Sequence, residues 1–235
     1  MKNASLLFTG LLCLLLLAGC TTPAPGNATL TATPTPSTTP VTGTFPLEVT
    51  GTGTMEKNIT LPAGQLFVAR MDCPGDDFVP FYADITSRDL YQILTNSHGP
   101  YNSSQAFGSV NAGIYTFRVI GFGDWTVTIE RPLKDPSVSL PLTMHGMGDT
   151  TSPLIPLQQG NHSMKYSVVA PEGFELSFYN ESGALVFEPS GERLSGLFLD
   201  NPCAQGEGTK EVYIPENGYY LFNIRTNGFW DITLG

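Results

Sequence analysis

Hydrophobic and polar residues alternate through most of the chain, in short runs separated by Gly, Pro, Asn and Asp. The segment GIYTFRVIGFGDWTVTI, residues 113–129, shows this best, because Tyr115, Phe117 and Val119 are two residues apart. A period of two sends alternate side chains to the same face of a β-strand. The glycines before Trp125 indicate a tight turn. The segment therefore predicts a β-hairpin with one buried face and one exposed face.

The same layout recurs at the C-terminus, where residues 218–234 read GYYLFNIRTNGFWDITL. The offset is 105, so that Trp125 corresponds to Trp230, while the intervening outward positions are unrelated. An earlier pair, PLEVTGTG at 46–53 and PLTMHGMG at 141–148, is offset by 95. The chain therefore contains two copies of one unit, and the larger offset at the end indicates an insertion in the second copy.

We predict an all-β fold with two homologous antiparallel β-sandwich domains of jelly-roll type in tandem. Runs rich in Val, Ile, Phe, Tyr and Thr recur every eight to twelve residues, and no window shows a helical stripe. The predicted boundaries are 45–132 for the first sandwich, 133–140 for a linker and 141–235 for the second. Because the linker is short and contains proline, we expect the domains to sit end to end.

The N-terminus, MKNASLLFTGLLCLLLLAGC, has one Lys followed by an apolar run that is short for a membrane span, which predicts a signal peptide over residues 1–19. Residues 17–20, LAGC, resemble the lipobox of prokaryotic lipoproteins. This resemblance implies that Cys20 becomes the N-terminus, carries a lipid and anchors the protein to the outer face of the cell membrane. The alternative is a secreted protein without an anchor.

The segment that follows, residues 20–44, is predicted to be a disordered stalk behind the lipidated Cys20. Residues 21–44 contain ten Thr, five Pro and no charge, a composition that cannot bury a core. The whole chain carries a formal charge of −10, so we expect no nucleic-acid partner. Outside the cytoplasm, Cys73 and Cys203 are an even pair that invites a disulfide; free thiols are the alternative.

The order G-x-G, L-x-x-G, G-x-Y-x-F-x-V and G-x-W-x-V-x-I resembles small jelly-roll modules of prokaryotic cell-surface proteins, similar to bacterial pre-peptidase C-terminal domains. The resemblance covers nearly all of 46–235 and carries no catalytic residues. It implies a role in adhesion, in carbohydrate binding or as a passive appendage.

We expect no catalytic residues and no enzyme activity, because the sequence lacks the common catalytic motifs and its three histidines are isolated. No cofactor is expected, with calcium as the single candidate metal. Its ligands would be Asp72, Asp76 and Asp77 in MDCPGDDF, since calcium prefers several oxygen ligands. A solvated turn is the alternative, because the second copy lacks these aspartates.

Aromatic side chains are the usual platforms for sugar rings. The two tryptophans are in phase with apolar neighbours and are predicted to be core residues. The predicted exposed aromatics, candidates for ligand binding, are Tyr101, Phe122, Tyr219 and Phe229.

Five N-x-S/T sequons follow the signal peptide and suggest a glycosylated envelope protein, in a prokaryote an archaeal one. The asparagines are Asn27, Asn58, Asn102, Asn161 and Asn180. Together these features predict a lipid-anchored, non-catalytic surface protein that binds a glycan or an envelope protein. The alternatives are a purely structural glycosylated coat protein and, less favoured, an enzyme with an unrecognised site.

Overall fold

Strands account for the regular structure of the described chain, and no helix occurs in it, so no membrane-spanning helix is found there. Residues 36–235 form one compact unit. The computed structural model describes residues 37–41, 44–75, 80–170, 173–186, 195–199 and 204–235, with only the backbone at 37–41, 195–199 and 204–205. The prediction of an all-β fold is confirmed.

The described residues of the first repeat form nine strands. They are β1 (Ser37–Val41), β2 (Leu47–Thr52), β3 (Met55–Leu61), β4 (Gln65–Cys73), β5 (Pro80–Thr86), β6 (Tyr91–His98), β7 (Tyr101–Ser109), β8 (Gly113–Ile120) and β9 (Asp124–Glu130).

Nine strands are also formed by the part of the second repeat that the structure describes. They are β10 (Leu142–Met147), β11 (Thr150–Thr151), β12 (Ile155–Leu157), β13 (Gly160–Ala170), β14 (Phe174–Asn180), β15 (Ser195–Leu199), β16 (Ala204–Ile214), β17 (Gly218–Thr226) and β18 (Phe229–Leu234).

Each repeat forms two sheets with the same strand order. Sheet I is β2-β9-β4-β7 and sheet II is β3-β8-β5-β6; sheet III is β10-β18-β13-β16, and sheet IV is β11-β17-β14-β15 with β12 also paired to β17. If β2 to β9 are counted from first to eighth, the orders become 1-8-3-6 and 2-7-4-5. Two such antiparallel sheets make the jelly-roll arrangement that the sequence predicts.

A parallel strand is added to sheet II by residues that were expected to belong to the disordered stalk. The strand β1, Ser37–Val41, pairs with β3. In the second repeat, Lys134 makes the corresponding parallel bridge to Leu154, beside β12. Residues from the predicted linker thus occupy the same place as residues from the predicted stalk.

Each sandwich encloses its own core, and the two tryptophans are buried in the two cores, as their phase predicts. Trp125 Nε1 donates to the Gly53 carbonyl and Trp230 Nε1 to the Gly148 carbonyl. A Cβ on Gly51 would lie 2.4 Å from the Trp125 ring. The indole therefore packs directly against backbone, which only glycine permits.

Candidate binding site on the outer face of the first sandwich

The two sandwiches do not sit end to end, as the sequence led us to expect, but share a buried interface. The outer faces of sheet I and sheet IV meet in an apolar cluster of Leu66, Val68, Ala106, Leu154, Tyr179 and Leu221. The outward positions of these strands are therefore core positions of the complete molecule.

Two buried amides fix this interface. Gln105 Nε2 donates to the Ile224 carbonyl at 2.8 Å, and Asn223 Oδ1 accepts from the Ala106 amide at 2.8 Å. Asn223 Nδ2 also donates to Gln105 Oε1 at 3.0 Å. Because buried polar groups are costly without partners, these reciprocal bonds select one arrangement of the two repeats.

The four aromatics predicted to be exposed are not on one sheet face. Phe122 and Phe229 are 63% and 64% exposed, but they belong to hairpins of different repeats. Tyr219 is half-buried, with Lys134 Nζ 4.4 Å from its ring centre. The expectation of exposure is wrong for Tyr101, which is 8% exposed. Its hydroxyl donates to Asp149 in the second repeat, a contact that no local pattern shows.

The predicted calcium loop is only partly described. Asp72 is exposed, and its Oδ1 accepts from Asn102 Nδ2 at 3.2 Å. Asp76 and Asp77 lie outside the described residues. Within the described ranges, no group of three or more acidic, His or Cys side chains is arranged to hold a metal ion.

The cysteine predictions stay predictions, because Cys20 and Cys203 lie outside the described residues. Cys73 is buried in the first core and is not bonded to another described cysteine.

The sequon asparagines that the structure describes are all accessible. Asn102 and Asn161 are exposed, while Asn58 and Asn180 are partly exposed. Asn27 lies outside the described residues. Asn58 is on the outer face of sheet II, where its Oδ1 accepts from Thr116 Oγ1.

The outer face of sheet II carries a cluster that sequence reasoning missed, named here the tyrosine face: Tyr82, Asp84, Tyr91 and Arg118. The two phenol oxygens are 2.9 Å apart and share a hydrogen bond. The guanidinium carbon of Arg118 is 5.7 Å from the centre of the Tyr82 ring, in cation–π range. Tyr91 is 62% exposed, so that its ring is open to a ligand.

A buried carboxylate positions the guanidinium of the tyrosine face. Asp84 is 2% exposed and accepts from Arg118 Nε at 2.9 Å and Nη2 at 2.5 Å. This hydrogen bond, the largest cause, raises the pKa of Arg118. Desolvation and the bond to Tyr91 raise the pKa of Tyr82. The face therefore presents a fixed cation and a neutral Tyr82 phenol at physiological pH.

Such a face can stack a flat apolar ligand surface on an aromatic ring and bond hydroxyl groups at its edge. Pairing across β5, β6 and β8 brings the cluster together, since Asp84 lies opposite both Arg118 and Ile93. Tyr82 and Arg118 alternate with buried residues in their strands and therefore point outward. Sequence reasoning could have used this signal. The strand order that makes them neighbours is not visible in the sequence.

Two open clefts flank the interface between the repeats, each of about 420 Å³. One contains Arg70 and His145, and the other contains Asp149 and Arg225. Asn102, Ser103, Met147 and Asp149 line both clefts.

No known protein family and no curated protein matches the sequence. Among solved structures, the chain is similar to the PBSX exported protein XepA at 9% identity, with 77% of this chain and 86% of that one covered and a TM-score of 0.25. It is similar to tripeptidyl peptidase 2 at 11% identity, with 80% of this chain and 22% of that one covered and a TM-score of 0.26. Similarities at this level support no conclusion about fold or function.

Proposed function

We propose that this protein is a lipid-anchored, non-catalytic protein of the outer face of the cell membrane that binds a hydroxyl-rich glycan through the tyrosine face. The anchor is supported by the signal sequence and by LAGC at residues 17–20. The Thr- and Pro-rich segment that follows would hold residues 36–235 away from the membrane.

The observation that carries the proposal is the exposed ring of Tyr91 beside a charge that the fold has already fixed. Sugars offer apolar C–H faces and equatorial hydroxyls, which match an aromatic ring and an adjacent guanidinium. Because Asp84 holds Arg118 before any ligand arrives, little side-chain entropy is lost on binding. The core of the first sandwich packs against the opposite face of this sheet.

A glycan array tests the proposal with residues 36–235 as wild type, Tyr91→Ala and Phe122→Ala. We expect the wild type to bind a defined set of glycans and Y91A to bind the same set roughly tenfold more weakly, since loss of a stacking ring costs about 1 kcal/mol or more. F122A removes an equally exposed ring elsewhere and should bind like the wild type. An empty array, or equal binding by Y91A, would contradict the proposal.

The structural coat protein is the second candidate, and the accessible sequons favour it. Asn58 shares the outer face of sheet II with Tyr91, and a glycan there would cover part of this face. Glycopeptide mass spectrometry of protein from its own host distinguishes the two functions. Full occupancy at Asn58 favours the coat, and an unmodified Asn58 favours an open binding face.

A further inference from the structure

A second site of different chemistry lies between the repeats, named here the acid cleft: Thr95, Tyr101, Asp149, Glu175 and Arg225. The β6–β7 hairpin of the first repeat forms one wall, and the loop after β10 forms the other with β14 and β17. Its volume of about 420 Å³ is within the roughly 300–1,000 Å³ of small-molecule sites.

The carboxylate of Asp149 is held in the wall from two sides. Its Oδ1 accepts from the Thr226 amide at 2.7 Å and its Oδ2 accepts from the Tyr101 hydroxyl at 2.7 Å. Burial raises the pKa of Asp149, with a smaller contribution from Glu175 in the same direction. The anion is therefore well oriented and poorly solvated, and a bound cation would lower its free energy.

The charges that line the acid cleft do not cancel. Arg225 Nη1 is 3.8 Å from Glu175 Oε2, a loose ion pair. Two carboxylates thus face one guanidinium, and neither Lys nor His is among the lining residues. One negative charge is left over for a ligand to balance.

Thr95 adds an independent sign that a ligand belongs here. Its side chain is 1% exposed, and its hydroxyl makes no hydrogen bond of normal geometry with the described residues. Its interaction with the Tyr101 hydroxyl lies outside normal hydrogen-bond geometry, so the buried hydroxyl is incompletely satisfied, at a free-energy cost that a bound hydroxyl group would recover. The aromatic rings of the cleft, Tyr101 and Phe174, are buried, so that charge and hydrogen bonds would govern recognition.

We propose that the acid cleft binds a small ligand with a protonated primary amine next to hydroxyl groups, the chemistry of an unacetylated amino sugar or an amino alcohol. The amine contacts Asp149 and Glu175, and a neighbouring hydroxyl bonds Thr95. This site is separate from the tyrosine face, and its ligand differs in charge.

Saturation-transfer NMR on residues 36–235 tests this with glucosamine, ethanolamine, N-acetylglucosamine and glucose. We expect a signal from glucosamine and none from glucose or N-acetylglucosamine, which lack the cation. A signal from ethanolamine as well identifies amino alcohols as the source of the ligand; a signal from glucosamine alone identifies an amino sugar. Silence from both amines, or equal signals from all sugars, would overturn the proposal.

Single substitutions test whether the amine binds in the acid cleft. Asp149→Asn should weaken binding of the amine roughly tenfold or more, because a charged hydrogen bond is lost. Glu175→Gln provides a second measurement should D149N fold poorly. Thr95→Val should weaken binding of the amine several-fold. Asp231→Asn removes an exposed carboxylate from the outer face of sheet III and serves as the control. Unchanged amine binding in D149N or E175Q would contradict the assignment, while Y91A should leave it intact.

Discussion

Asp149 joins the two sandwiches through both its side chain and its main chain. Tyr101 donates to its carboxylate, and Ser103 Oγ donates to its carbonyl, both from the first repeat. The Thr226 amide, from the second repeat, also donates to the Asp149 carboxylate. This one residue therefore couples the ionisation of a carboxyl group to the packing of the repeats.

The stability of the protein should depend on pH through Asp149. Because burial raises its folded pKa above the ordinary value of 3.8, the folded state holds the proton more tightly than the unfolded state. The stabilisation of the folded state by this tighter proton binding is fully present below pH 3.8 and is lost as the pH rises through the folded pKa of Asp149. In D149N, urea unfolding should lose that component of the pH dependence, whereas D231N should follow the wild type. Identical profiles of D149N and wild type would contradict this.

At the scale of elements, the backbones of the two repeats approach each other closely where β7 meets the turn after β14. A Cβ placed on Gly108 would come within van der Waals overlap of the Gly183 carbonyl. Gly183 has a φ of +81° and itself lies against the Gln65 carbonyl. Two glycines thus allow backbone to pack on backbone across the interface.

Gly108→Ala should therefore force the repeats apart locally and destabilise the protein by about 1–3 kcal/mol, the usual cost of overpacking. Gly218→Ala is the matched control, because its Cβ would meet only the Tyr220 ring at 3.5 Å, an ordinary contact. Differential scanning calorimetry measures both. A melting temperature for G108A as high as that of G218A would contradict the predicted contact.

Elements with local signals could be predicted from the sequence, and those that depend on long-range pairing could not. The hairpins that end in Trp125 and Trp230 follow from period two and a glycine turn. The strand β1 has no such signal, because Thr and Pro favour extended chain in a stalk and in an edge strand alike. Only the open edge of β3, seen in three dimensions, explains its position.

At the scale of the molecule, the two outer faces that lie outside the interface differ from the two faces that form it. A further copy would have to dock on the outer face of sheet II or sheet III, which correspond to the faces that meet in the interface. Leu221 and Asn223 correspond to Thr116 and Arg118. Four of the outward residues of β13 are polar and the fifth, Val169, is 49% exposed, and each face has a sequon, Asn58 or Asn161.

Residues 36–235 should therefore be monomeric in solution. Mainly polar residues, with single exposed aliphatic side chains such as Ile114 and Val169, replace the apolar cluster on these faces, so we expect no second interface of the same kind. Sedimentation velocity at micromolar to millimolar concentration measures this. Head-to-tail oligomers whose formation depends on Thr116 or Lys165 would contradict it.

The candidate site marks the limit of sequence reasoning. The exposed hairpin residues Phe122 and Phe229 could be found, since turns place side chains in solvent. Tyr101 could not be placed, because its partner Asp149 is far along the chain. Tyr91 became a candidate only when the order of β5, β6 and β8 put it beside Tyr82 and Arg118.

Binding to the envelope polysaccharide of the host is the most direct measurement of glycan recognition by the tyrosine face. Purified residues 36–235 would be titrated with that polysaccharide before and after periodate oxidation, which destroys vicinal diols, with Y91A and F122A in parallel. We expect saturable binding by wild type and F122A, weakened roughly tenfold in Y91A and abolished by periodate. Binding that survives periodate, or that Y91A retains in full, would contradict glycan recognition by the tyrosine face.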